Sequence, residues 1–192
     1  MKNKVAIRPV VKDDFQQWAP LWDGYNTFYG RVGQTALPLA VTEMTWARFF
    51  DAYEPMHALV AENHNGLLGI AHFLFHRSTT QIAPTCYLQD LFTVEQARGK
   101  GVGRSLIEAV YKHANAAGCP RVYWHTQETN FTAMQLYDKV ADKSGFVVYR
   151  KLLSAGSSRE NSMPHTHELK FATTTFFSIS SSGFIGDAYE VI

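Results

Sequence analysis

Seven residues in the middle of the chain, Arg98-Gly99-Lys100-Gly101-Val102-Gly103-Arg104, set three glycines alternately among cations and a valine. Glycine spacing of this kind lets the backbone turn sharply and aim several N–H groups inward. A helix beginning just after the loop adds the unpaired amides of its first turn. Together these make a site suited to an anion of the size of a pyrophosphate. Taken alone, the same spacing also describes an ordinary glycine turn with solvated charges. The familiar nucleotide motifs do not fit. No Lys-Ser/Thr closes the loop as a P-loop requires, and the third glycine of a dinucleotide-binding fingerprint would fall on Arg104.

The other reactive side chains are less organised. His72 and His76 are four residues apart, a zinc spacing only on a helix, and their segment reads as a strand with no third ligand nearby. His165-Thr166-His167 reads as a solvated pair. Cys86 and Cys119 form no Cys-x-x-Cys unit, and Cys119 at a helix end has no base at local spacing. No metal site is expected.

The elements that must position the loop follow from periodicity. Residues 4–10 read as a strand, followed by a helix capped by Asp13 or Asp14 with Phe15, Trp18, Leu21, Trp22 and Tyr25 along one side. Thr42 is the expected cap of a second helix over 43–53. Strands over 57–62 and 67–75 flank Asn65-Gly66, a hairpin signal. A further strand spans 87–94. The helix after Gly101 carries Val102, Leu106, Val110 and Ala117 on one stripe, flanked by Ile107 and Ala114, and stops at Gly118 and Pro120. A strand over 121–126 follows, then a helix opened by Asn130 with Ala133, Tyr137, Val140 and Ala141 on one face and ended by Gly145. A last strand is expected over 146–153. This order predicts an α/β (α+β) domain, a mixed sheet with helices on both faces, over residues 1–153.

Residues 154–192 change character, with eight Ser and four Thr among 39 positions, yet they include Phe171, Phe176, Phe177, Phe184, Ile185 and Tyr189. They are treated as a Ser/Thr-rich tail. In the whole chain 18 Lys and Arg face 17 Asp and Glu, too even a balance for nucleic acid or an anionic membrane to be the main partner. No apolar run reaches the roughly 18 residues of a membrane span, and the first residues do not read as a signal peptide. The expected location is cytoplasmic.

The string YLQDLFTVEQARGKGVGRSLIEAV resembles motif A of the GNAT N-acetyltransferase superfamily, whose loop reads Gln/Arg-x-x-Gly-x-Gly/Ala, here at Arg98, Gly101 and Gly103. The run RVYWHTQETNFTAMQLYDKVADKSGFVVYRK resembles motif B, with Asn130, Ala133 and Leu136-Tyr137 at its offsets. Within the superfamily these strings look closest to small acetyltransferases resembling the yeast histone/amine and the diamine acetyltransferases. The resemblance implies a GNAT fold with a splayed strand pair. It implies acetyl-CoA as cosubstrate, held at Leu91, Phe92 and Val94 along the pantetheine arm. The amides of Arg98, Gly99, Lys100, Gly101, Val102, Gly103 and Arg104 would hold the pyrophosphate, with Asn130 and Ala133 against the arm. Tyr137 falls where the family places a phenol near the thioester sulfur. A homodimer is a further implication.

The implied chemistry asks for specific groups. A primary amine attacks as the free base, and with a pKa of about 10 only roughly 0.1% is neutral at pH 7. A base raises that fraction. Asp90 is the candidate, as proton acceptor through water or as a residue that orients the amine; the alternative is a strand carboxylate paired to an arginine. Diamine acetyltransferases carry Glu-Asp at this point, where this chain has Gln89-Asp90, so one expected negative charge is missing. The developing oxyanion needs a backbone N–H, expected near Leu91 and Phe92. The leaving thiolate needs a proton, expected from Tyr137. Tyr25, Tyr29 or Asp23 is expected to line the acceptor cleft, with Trp18 and Trp22 in the core. The reading is direct acetyl transfer to a small-molecule amine of amino acid or polyamine type. Its rivals are a protein-lysine acetyltransferase, a non-catalytic acyl-CoA sensor and a phosphotransferase, the last lacking a Walker lysine and a carboxylate pair for magnesium.

Overall fold

Two apolar runs joined by one turn, buried on both of their faces, build the centre of the molecule. The computed structural model describes residues 4–153. Strands β1 (Ala6–Pro9), β2 (Met56–Asn63), β3 (Gly66–His76), β4 (Thr85–Thr93) and β5 (Val122–Tyr123) form one sheet in the order β1-β2-β3-β4-β5. The first four are antiparallel neighbours, and β5 runs parallel to β4. The expected hairpin at Asn65-Gly66 joins β2 to β3, with Gly66 at φ +118°.

Helices cover both faces. Side chains alternate along each strand. Leu59, Ala61, Ala71, Phe73, Cys86 and Leu88 pack with Val102, Leu106, Ile107 and Val110 of α3 (Val102–Ala116). Val60 and Ile70 pack with Trp18, Leu21, Trp22 and Tyr25 of α1 (Phe15–Phe28). The predicted apolar stripes of both helices are therefore buried, except that Ala117 ends α3 and is exposed.

One irregularity decides which face β4 presents. His72 is opposite Asp90 but Phe73 is opposite Leu88, so Gln89 is an extra residue, a β-bulge. Strict alternation would place Asp90 on the α3 side with Cys86 and Leu88. The extra residue turns it to the α1 side, opposite His72, and leaves the Gln89 side chain exposed.

Four predicted elements are corrected, the first being the strand expected over 121–126, of which only Val122–Tyr123 is paired. The second helix, α2, runs Leu39–Arg48 rather than 43–53, because Pro38 sits at its N-cap and accepts from Val41 N–H, leaving Thr42 inside. The helix opened by Asn130, α4 (Phe131–Tyr137), ends eight residues before Gly145 in a turn closed by Val140 N–H on the Tyr137 carbonyl. Residues 146–153 carry no regular structure, although their apolar pattern suits a strand. Asp14 also departs from expectation. It stands at the N-cap of α1 without capping it, and its carboxylate accepts from Val11 N–H (2.8 Å) and from Arg8 (2.6 and 2.9 Å).

The chain divides into two units, Met1–Gly145 and Phe146–Ile192. The aromatic and histidine positions singled out between 165 and 189 lie outside the described residues.

Candidate active site

The cleft begins where β5 leaves β4. The two pair only at Cys86–Val122 and Tyr87–Tyr123, while β4 continues alone to Thr93. Backbone groups of β4 beyond Tyr87 that face away from β3 therefore lack a strand partner. This is the splayed pair the resemblance implies. The gap leads into a cavity of about 690 Å³.

One end of the cavity is the glycine loop. Gly101 is the N-cap of α3 at φ +83°, a left-handed conformation that disfavours side chains. No side chain caps this helix, so the amides of its first turn are left for a ligand. Gly103 faces α4, and a Cβ there would meet the Leu136 side chain at 3.4 Å. Arg98, Gly99, Gly101, Val102, Gly103 and Arg104 line the cavity together with Leu91, Phe92, Asn130, Ala133 and Tyr137. An uncapped helix start, two cations and an unpaired strand edge fit the diphosphate and amide arm of a CoA.

Not every predicted residue joins this wall. Lys100 and Val94 are outside it, and Val94 spends its N–H on the Leu68 carbonyl at 3.0 Å. Asn130 lines the cavity but also caps α4, accepting from Ala133 N–H at 3.4 Å and donating to Thr126 Oγ1 at 3.2 Å. Arg98 Nε donates to the Thr93 carbonyl at 3.4 Å.

The far end is phenolic. Tyr137 packs edge-on against Trp124, and burial, with Tyr29 nearby, pushes its pKa up to about 12. It is therefore a neutral phenol, a proton donor, throughout the physiological range. Tyr25 and Tyr29 line the cleft from the end of α1, as expected, while Asp23 is exposed elsewhere. Both phenols are raised, first by burial and then by the charge of Asp90; the carboxylate also acts on Tyr25 as a hydrogen-bond acceptor. Tyr87 is raised by the same two causes.

Asp90 is buried, at 7% exposure, and its charge reaches Tyr25, Tyr29 and Tyr87. Among the described residues it makes no ion pair with an arginine. Its partner is His72, whose Nδ1 lies 3.0 Å from Asp90 Oδ2. The other ring nitrogen, Nε2, receives the indole N–H of Trp18 at 2.9 Å. Sequence reasoning considered His72 only as a metal ligand and Trp18 only as core, because their contact spans 54 residues. His76 is engaged separately, with Tyr123 Oη and the Arg77 carbonyl.

Comparison with known proteins identifies the family. Residues 18–141 match the Acetyltransferase (GNAT) family. The chain is 36% identical over 153 residues to the D-amino-acid N-acetyltransferase HPA3 of Saccharomyces cerevisiae (strain ATCC 204508 / S288c), covering 79% of this chain and 92% of that one. It is 28% identical over 145 residues to the uncharacterized N-acetyltransferase YhfO of Bacillus subtilis (strain 168), covering 74% and 94%. Among solved structures, AAC(6')-Iy in complex with a bisubstrate analog, CoA-S-monomethyl-acetylneamine, superposes with a TM-score of 0.66 at 18% identity, covering 78% of this chain and 99% of that one. With the fold, the uncapped glycine loop and the matched sequence in accord, the chain belongs to the GNAT acetyltransferase family and is an acetyl-transferring enzyme.

Proposed function

We propose that this enzyme transfers the acetyl group of acetyl-CoA directly to the primary amine of a small molecule of the amino acid class. The observation that carries the reading is the convergence, in one cavity, of the uncapped start of α3, the unpaired edge of β4 and the buried phenol of Tyr137. Acetyl-CoA would supply the activated thioester. Arg98 to Arg104 would bind its pyrophosphate and β4 its arm, and Tyr137 would hand its proton to the leaving sulfur. Asp90 would accept the proton that the acceptor's ammonium must lose.

The acceptor class rests on two supports. The similar yeast protein acts, by its name, on D-amino acids. The position before Asp90 is Gln89, exposed on the bulge, so this turn of the strand offers one carboxylate rather than the two suited to a polyamine. The same reading includes a cytoplasmic homodimer, which sedimentation and fractionation would examine.

Titration calorimetry with CoA, acetyl-CoA and ATP is the test, beside an Arg98→Ala, Gly101→Asp double variant. Acetyl-CoA binds at micromolar concentration and the variant loses it; binding of neither CoA species overturns the reading. A screen of D- and L-amino acids, polyamines and a lysine peptide for thiol release then identifies the acceptor. Binding without release of thiol from any amine would instead make the protein an acyl-CoA sensor.

A further inference from the structure

An aspartate beside a histidine in a buried site invites the reading that the histidine is the base and the aspartate its support. The hydrogen bonds around His72 run the other way. Trp18 Nε1 is a donor only, and it lies 2.9 Å from His72 Nε2, which must therefore offer a lone pair. The proton of a neutral ring then sits on Nδ1, which faces Asp90 Oδ2 at 3.0 Å and donates to it. The ring is 1% exposed and enclosed by Trp18, Trp22 and Phe49, with centroids at 5.7, 5.3 and 4.7 Å. Neither nitrogen is open to a substrate.

The charge follows from the tautomer. His72 is neutral, so the carboxylate of Asp90 is held by a neutral donor. The titratable groups its charge reaches are Tyr25 and Tyr29 from α1 and its end and Tyr87 from β4, with Arg31 acting on Tyr25 and Tyr29. Of these, Tyr25 and Tyr29 reach the cleft.

We propose that His72 is a positioning residue, fixed by Trp18 as the neutral Nδ1–H tautomer, which orients Asp90 so that the carboxylate takes the acceptor's proton through water. One proton leaves the ammonium for the intervening water, a proton of that water passes to Asp90, and His72 exchanges none. The bulge at Gln89 is what makes the arrangement available, since it turns Asp90 toward the α1 side. This rests on the acetyltransferase reading for its chemistry, but not for its tautomer.

Two experiments on the full chain separate the claims. Nitrogen-15 spectra of histidine-labelled protein, without ligands, should show His72 at neutral pH with Nδ1 protonated and Nε2 bare. An imidazolium at neutral pH, or the Nε2–H tautomer, overturns the proposal whatever the enzyme's substrate. The second compares His72→Gln with His72→Leu in steady-state assays with the acceptor found by the thiol-release screen. A glutamine amide can accept from Trp18 and donate to Asp90, so kcat should stay within about fivefold of wild type. The leucine variant does neither and should lose about a hundredfold in kcat, with KM for acetyl-CoA unchanged. Equal losses in both variants would mean that the imidazole itself moves a proton, and a leucine variant with wild-type kcat would remove the positioning role; either result overturns the proposal. Should the leucine variant fail to fold, the glutamine variant and the spectra still decide.

Discussion

The indole N–H of Trp18 meets His72 Nε2 at 2.9 Å, joining α1 to the middle of β3 across 54 residues of chain. Both side chains are essentially sealed from solvent, at 0% and 1% exposure. A buried polar group is stable only when paired, so each residue makes the burial of the other affordable. The contact also fixes how far α1 can slide over the sheet, and with it the position of Tyr25 and Tyr29 at the end of the same helix.

Tyr137→Phe should lower kcat by about 10²- to 10³-fold and leave KM for acetyl-CoA within about twofold, as expected for loss of a proton donor alone. Burial pushes this phenol up to about 12, so the protonated form persists to high pH. Wild-type kcat should accordingly show no alkaline fall attributable to Tyr137 below about pH 10.5. Steady-state rates across that range check both statements.

Gly24→Ala should disturb the cleft from the sheet-facing side of α1. A Cβ at Gly24 would lie 2.7 Å from Phe92 Cζ, so the ring must move, and Phe92 lines the cavity. Overpacking of this kind costs about 1–3 kcal/mol. Urea unfolding should show that loss, and calorimetry a weaker acetyl-CoA affinity in the same variant.

Arg8 holds the Asp14 carboxyl below its ordinary range, with help from Val11 N–H and against the cost of burial. A carboxyl depressed in the folded state adds stability above its unfolded pKa of about 3.9 and loses it as the pH falls through the lower folded value. Thermal unfolding from pH 7 downward should therefore show wild type losing stability steeply below about pH 4. Asp14→Asn should start about 1.5–3 kcal/mol less stable at pH 7 and converge on wild type in acid.

Cys86 is fully buried, and burial pushes its thiol up to about 12. Cys119 is partly exposed and raised only by the same effect in weaker form. A thiol reagent at pH 8 should titrate one cysteine of the native protein and two after denaturation. Labelling followed by peptide mapping should place the native adduct on Cys119.

Much of the architecture was legible because it is written locally. Asn65-Gly66 marks its own hairpin, and Asn130 caps its own helix. The cations and glycines from Arg98 to Arg104 announce an anion site before any tertiary contact is known. What escaped is non-local. YLQDLFTV reads as one unbroken strand, and nothing in it signals that Gln89 is the extra residue, because the bulge is defined by the register with β3. The partnership of Trp18, His72 and Asp90 joins three elements, and each residue alone has a blander explanation. The start of α2 was misplaced because Thr42 is the better capping side chain, yet Pro38, four residues earlier, already has the backbone angle a helix start needs.

The bulge carries a consequence for how this strand can vary between relatives. Gln89 is exposed, and its side chain supports nothing in the core, so its identity is free. Its place outside the ladder is not. Were Gln89 drawn into regular pairing with β3, alternation would either sink the carboxylate among Leu106, Ile107 and Val110 or turn Leu88 and Cys86 out of that core. At this point in the chain, the path of the backbone is under tighter constraint than the side chain it carries.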